Sequence, residues 1–321
     1  MKHLFTGAAI ALAVLAGSAS AEVLKMAHNA APGNPKDLAS KRFAELVAEK
    51  TEGRITVDVG GSAQYGDDVE AITQMRLGTL ALAANSQGST SGAVEEFALI
   101  GLPFLFDDLT QAWTVLDGEV GAKLDEAAQK QGLKVLAFWD NGIRQISNNT
   151  RPIAAPADLA GLKIRTPPDP MTLEIFTALG ANPTPMAFSE LYVALQQGVV
   201  DGQENPLMNI DSSKLYEVQK YISLTGHKYE STPVLASKAV WDGLSPEDQA
   251  ALLEAAKEAG AYNRELSQKA DAELRPKLEA AGVQFNEVDK APFIEATAGI
   301  VEAWRGKYPE MVEAITTAAG K

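Results

Sequence analysis

Short apolar runs of strand length alternate with longer stretches of helical period along most of the chain, and this alternation limits the fold more than any other feature. Val23-Leu24-Lys25-Met26-Ala27 has the pattern of a short strand. Lys36 to Lys50 then sets Leu38, Phe43, Leu46 and Val47 near one helical face, and Gly53 ends that helix. Arg54 to Val59 alternates as a strand, and Gly66-Asp67-Asp68 opens a helix with acids at its positive end. Thr79 to Ala84 has the length of a buried strand, Asp108 to Gly132 reads as one or two helices, and Leu133 to Trp139 as a strand.

The second half follows the same grammar. Leu162 to Arg165 reads as a strand, Asp169 as a helix cap with Pro170 in the first turn, and Ser189 to Gln197 as a helix. Val199 to Asp201 reads as a strand, Pro206 begins a helix, and Tyr221 to Leu224 and Val234 to Ala236 are further short strands. The order predicts an α/β fold in which parallel sheets are covered by helices on both faces. Ser245-Pro246-Glu247-Asp248 starts a helix that continues to about Leu274, roughly 45 Å at 1.5 Å per residue. That exceeds one small lobe, so the helix is expected to run across two, with Pro276 kinking or ending it.

Met1, Lys2 and His3 lead into an apolar run from Leu4 to Ala16, followed by Ala19-Ser20-Ala21. A charged start, a short apolar middle and a small-residue cleavage site read as a secretory signal over residues 1–21. The run is too short to span a bilayer of roughly 30 Å. The signal ends in Ala and not in a lipid-accepting Cys, so no lipid anchor is expected. The absence of cysteine in 321 residues removes disulfides, thiol nucleophiles and Cys-based metal sites. A net charge of −14 argues against a nucleic-acid binder and against docking on anionic lipid.

Other chemistry is missing too. His28 and His227 are far apart in sequence, so no metal site is expected, and neither a GxGxxG nor a P-loop motif supports a cofactor. Gly88-Ser89-Thr90-Ser91-Gly92 is no nucleophile elbow, because its centre is Thr90. The pairs Asp67-Asp68 and Asp107-Asp108 read as helix-start charges rather than as general acid–base groups.

In open α/β sheets, ligands bind beyond the carboxyl ends of strands. Arg144 lies just past one predicted strand, Arg165 ends a second and Asn205 follows a third. Two guanidiniums and a carboxamide suit a carboxylate, since Arg offers a planar fork for its two oxygens and Asn a third donor. The alternative is that both arginines are surface cations paired with neighbouring acids and that Asn205 is only a turn residue. Phe188 and Trp139 can stack on a ligand or belong to the core. Asn29, Asp68 and Asn85 lie at the ends of first-half elements, as caps or as contacts.

Three runs carry a family resemblance: Gly161 to Pro168, Gly180 to Tyr192, and Val200-Asp201-Gly202-Gln203-Glu204-Asn205-Pro206. With Asn141 to Gln145 and Tyr216 to Lys220, they resemble the solute-binding subunits of tripartite ATP-independent periplasmic (TRAP) transporters, the DctP type. The resemblance implies a two-lobed periplasmic binding protein fold of type II-like form, with mixed sheets flanked by helices and a long helix spanning both lobes. It implies no enzyme and no cofactor, but a periplasmic protein that delivers a small organic acid to integral-membrane TRAP permease subunits. Lobe I is expected to comprise residues 22–141 and 231–270, and lobe II residues 142–230 and 271–321.

By the same resemblance, Arg165 is the main carboxylate clamp, Arg144 a second cation there and Asn205 a supporting donor. Phe188 matches a ligand-packing position, and Glu204, Asn29, Asp68 and Asn85 match positions near the rest of the ligand. Members that bind acidic amino sugars tend to carry Glu where this chain has Asn85. The neutral amides of Asn29, Asn85 and Gln87 suit hydroxyls, which favours a uronate or aldonate, with a C4-dicarboxylate as the close alternative. An exported carboxylate-processing enzyme is the alternative of a different class.

Overall fold

The computed structural model describes residues 21–321; the expected signal segment lies almost wholly outside them. The chain begins with β1 (Glu22–Ala27), α1 (Pro35–Lys50), β2 (Ile55–Gly60), α2 (Asp68–Arg76), β3 (Leu82–Ala84) and the short α3 (Gln87–Ser91). Next come α4 (Leu109–Leu116), α5 (Glu119–Lys130), the 16-residue β4 (Leu133–Asn148), β5 (Lys163–Thr166), α6 (Pro170–Ala178) and β6 (Asn182–Pro185). Then α7 (Leu191–Gln196), β7 (Gly202–Asn205) and α8 (Leu207–Ser212) precede the 17-residue β8 (Tyr221–Ser237). The remainder is α9 (Lys238–Trp241), α10 (Pro246–Ala280), β9 (Gln284–Glu287), α11 (Ala291–Lys307) and α12 (Pro309–Ala318). Among the described residues, no helix is long and apolar enough to cross a membrane.

Helix starts follow the local chemistry read from the sequence. Asp67, Asp169 and Ser245 cap α2, α6 and α10, each accepting a backbone amide of the first turn. Strands depart from that reading in four ways. All nine strands of the described residues join one mixed sheet in the order β2-β1-β3-β8-β4-β7-β5-β6, with β9 also on β8; the family resemblance implied mixed sheets, where the strand–helix alternation alone predicted parallel ones. The strands expected at Tyr221–Leu224 and Val234–Ala236 are the two ends of the single β8. The strand expected to stop at Trp139 continues through Asn148. The strand expected at Val199–Asp201 is instead Gly202–Asn205.

These long strands make the two-lobed shape. The start of β4 pairs with the end of β8, which also carries β3 and through it β1 and β2. The end of β4 pairs with the start of β8, which also carries β9, while β7, β5 and β6 follow on the far side of β4. The β4–β8 register slips at Val135/Ala137, Asp140/Gly142 and Arg144/Ile146. Gly142 sits at φ +105°, a conformation that disfavours a side chain, and a Cβ there would come within 3.1 Å of Pro206.

Helix α10 is the third element shared by the lobes. It packs on α1 and β4 and, further along, on α8. It runs through Pro276 to Ala280, so the proline sits within the helix and does not end it. Its first half packs with Met26, Phe43, Leu46 and Trp139 in one core, through Leu252, Ala255, Ala256 and Ala259. Leu278 joins a second core with Leu191, Leu195, Ile210, Leu215 and Ile222. The C-terminal helices cover the outside, α11 against α6 and α12 against α4 and α5.

Candidate ligand-binding site

A cavity, partly open to solvent, lies between the lobes. Of the eight residues singled out in the sequence, Asn29, Asp68, Arg144, Arg165, Phe188 and Asn205 line it. Glu204 and Asn85 do not; both sit just behind the wall. Trp139 is a core residue, edge-on to Phe43 at 6.4 Å, with its indole N–H donated to the Ala256 carbonyl at 2.8 Å.

Arg165 is the third residue of β5, which runs parallel to β6 and β7. Its side chain is 1% exposed. Nε and Nη2 donate to the Met186 carbonyl at 3.0 and 2.6 Å, and the guanidinium stands 5.7 Å over the Phe188 ring. No carboxylate of the described residues pairs with it, so three of its five N–H donors remain for a bound anion. Burial lowers its proton affinity to about 10, which leaves it a cation at neutral pH; Glu204 partly opposes the shift.

Arg144, on β4, is differently engaged. Its guanidinium grips the Glu204 carboxylate with Nε and Nη2, the latter at 2.7 Å from Oε1, and Nη2 also reaches the Glu204 carbonyl at 2.7 Å. Nη1 lies 3.7 Å from Glu230 Oε2. Burial opposes ionisation of Glu204, but the Arg144 charge together with the hydrogen bonds from His227 and Arg144 outweighs it and holds the carboxyl down at about 2. Behind this pair, Lys228 bridges Asp169 and Glu230, the latter at 2.9 Å, and His227 meets Glu204 at 3.3 Å. Every member of this charge network has a side chain at most 3% exposed, and each finds a partner of opposite sign or a hydrogen bond.

The amides line up in a chain. Asn205 Nδ2 donates to Gln203 at 2.6 Å, Asn209 donates to Asn205 Oδ1 at 3.0 Å and to Asn141 Oδ1 at 3.1 Å, and Asn34 donates to Asn209 Oδ1 at 2.9 Å. Asn29 donates to both Asp67 and Asp68, at 3.0 and 2.9 Å. Asn85 donates to the Asp68 carbonyl at 3.1 Å, holding the wall rather than forming it. The Gln87 carbonyl oxygen accepts from Ser231, away from the lining. Burial pushes the Asp68 carboxyl up to about 6, against the pull of Lys36.

Lys36, Ser86, Ser89, Asn141 and Asn209 also line the cavity and were not singled out in the sequence. Lys36 was read only as the start of a helical stretch; Asn34 caps that helix, and a first-turn lysine there would ordinarily point to water.

Residues 26–307 match the model of DctP, the bacterial extracellular solute-binding protein family 7. The chain belongs to this family. Proteins of the DctP family bind small organic acids and work with membrane permease components; they are transport proteins, not enzymes. The Sinorhizobium fredii protein y4mM is 54% identical over 283 residues, 88% of this chain, which spans about half of that protein's length (52%). The Escherichia coli 2,3-diketo-L-gulonate-binding periplasmic protein YiaO is 37% identical over 280 residues, 87% of this chain and 85% of that one. Among solved DctP-family structures, the sugar acid binding protein DctPAm of Advenella mimigardefordensis, in complex with galactonate, superposes with a TM-score of 0.90. It is 34% identical, and the match covers 94% of this chain and 98% of that one.

Proposed function

We propose that the protein captures a hydroxylated sugar acid, a uronate or an aldonate, between its lobes and presents it to the integral-membrane subunits of a TRAP permease. Arg165 carries this reading. A buried guanidinium with no counter-ion costs several kcal/mol unless an anion joins it. Arg165 lines the cavity between the lobes, with the Phe188 ring against its guanidinium. A carboxylate completes the site, with Asn205 and the Glu204-anchored Arg144 beside it.

The sugar-acid class is supported by YiaO, named for 2,3-diketo-L-gulonate, and by the galactonate in DctPAm. Lobe I is read as residues 22–141 and 231–270, lobe II as 142–230 and 271–321, with α12 of the second also bracing α4 and α5 of the first. Periplasmic location, reached through the N-terminal segment 1–21, is part of the same reading.

Isothermal titration of the wild type and Arg165→Ala with D-galactonate, D-glucuronate and D-galacturonate tests it. Charge-assisted hydrogen bonds contribute about 1.5–3 kcal/mol each, so the variant should lose roughly tenfold to hundredfold in affinity. Unchanged affinity in Arg165→Ala removes the clamp and the proposal with it.

A further inference from the structure

Lys36 stands where physical chemistry disfavours it. It is the second residue of α1, at the end of the helix where the dipole repels a cation, and it is only 5% exposed. Its ammonium forms no ion pair among the described residues, and its one hydrogen-bond contact there is Asn29 Oδ1 at 3.5 Å. Nearby, Asp68 accepts from Asn29 with Oδ2 and feels the Ser86 backbone amide, but Oδ1 makes no hydrogen bond of good geometry, and neither does the buried hydroxyl of Ser89. All three residues line the cavity that holds Arg165. Burial works against both charges, loosening the proton on Lys36 and tightening it on Asp68.

We propose that Lys36, Asp68 and Ser89 form a second recognition wall that reads hydroxyl groups, making the site selective for a hydroxylated monocarboxylate over a dicarboxylate. The inference rests on Arg165 as the carboxylate clamp. A hydroxyl can accept from the Lys36 ammonium and donate to Asp68 Oδ1 at once. A second carboxylate can meet Lys36, but it has no hydrogen for Asp68 and sets another negative charge beside Asp67 and Asp68. Like charges that close in a buried site oppose one another strongly. Lys36 is therefore the specificity residue, and Asp68 is the group that turns dicarboxylates away.

Calorimetry separates the possibilities, using D-galactonate, D-glucuronate and D-erythronate against succinate and butyrate. The proteins are the wild type, Lys36→Met, Asp68→Asn and Arg165→Ala, each checked by thermal melting for an intact fold. The best hydroxy acid should bind the wild type at least tenfold more tightly than succinate or butyrate. Lys36→Met, which keeps the apolar stem, should weaken that acid about tenfold to hundredfold. Asp68→Asn should shrink its preference over succinate at least tenfold. Equal wild-type affinity for succinate, an unchanged preference in Asp68→Asn, or failure of all three hydroxy acids to bind overturns the inference. Loss of binding in Arg165→Ala with no effect from Lys36→Met or Asp68→Asn overturns it alone and leaves the clamp standing.

Discussion

Asp67 Oδ2 accepts two hydrogen bonds from Ser189, from its backbone amide at 3.1 Å and from its hydroxyl at 2.9 Å, across 122 residues of sequence. Asp67 caps α2 in the first lobe, and Ser189 lies in the 3₁₀ turn that carries Phe188 in the second. A second tie runs from Asn34 to Asn209 and Ser212, at 2.9 and 3.0 Å. Neither Asp67 nor Asn34 needs the ligand to make these bonds, so they act on the approach of the lobes.

Removing the hydroxyl should therefore shift closure rather than recognition. Ser189→Ala keeps the amide contact and loses one bond to a carboxylate, worth on the order of 1 kcal/mol at this partly exposed position. Ligand affinity should fall about fivefold for every acid tested, with their ranking unchanged. Titration of the same panel checks this; a change of ranking would show that Ser189 reads the ligand itself.

Glu204 is expected to matter for folding as much as for binding. Glu204→Gln leaves Arg144 buried with the Glu230 carboxylate, 3.7 Å away, as its nearest counter-charge. Breaking a buried ion pair from one side costs about 3–5 kcal/mol. Urea unfolding of the ligand-free variant should show a loss of that order. A midpoint equal to wild type contradicts the account of the charge network.

Asp68 gives a pH signature with a definite sign. Its carboxyl is raised from 3.8 to about 6 in the folded protein, mainly by burial, so the folded state holds the proton more tightly than the unfolded chain. That contribution to stability is fully present below about pH 4 and is lost as pH rises through 6. Asp140, raised to about 6 by burial, works the same way, and His28, lowered to about 4 by burial, works the other way over the same range, so the wild-type profile mixes them. The difference between Asp68→Asn and wild type isolates the carboxyl. In the ligand-free protein the variant should be more stable at pH 7.5, on the order of 2 kcal/mol, and the gap should close toward pH 4. Thermal melts at the two pH values decide it; a gap that is constant or widens in acid refutes it.

Much of this architecture can be read from local chemistry, because helix starts depend on neighbours in sequence. Asp169-Pro170 and Ser245-Pro246 begin α6 and α10 where their side chains predict. Strand interiors were harder, since here they are polar. Thr225, His227, Lys228, Glu230, Ser231 and Thr232 look like a loop, yet all are buried in β8. The charged ones can be, because Asp169, Arg144 and Glu204 neutralise or bond to Lys228, Glu230 and His227 from distant parts of the chain. Val199 drew the strand assignment toward itself, but it is 49% exposed, while the polar β7 beside it is buried between β4 and β5. In the site, Arg165 and Asn205 were legible from their positions at strand ends. Lys36 was not, because only the tertiary fold hides a first-turn lysine from water.

The unbroken passage of β4 and β8 from one lobe to the other limits how the halves can move. Sliding one past the other would strip rungs from a ladder that both strands share along nearly their whole length. Rotation asks far less, since three register slips already leave that ladder loose at fixed points. The molecule is built like a book whose spine is two stitched threads: its covers can swing, and they cannot shear.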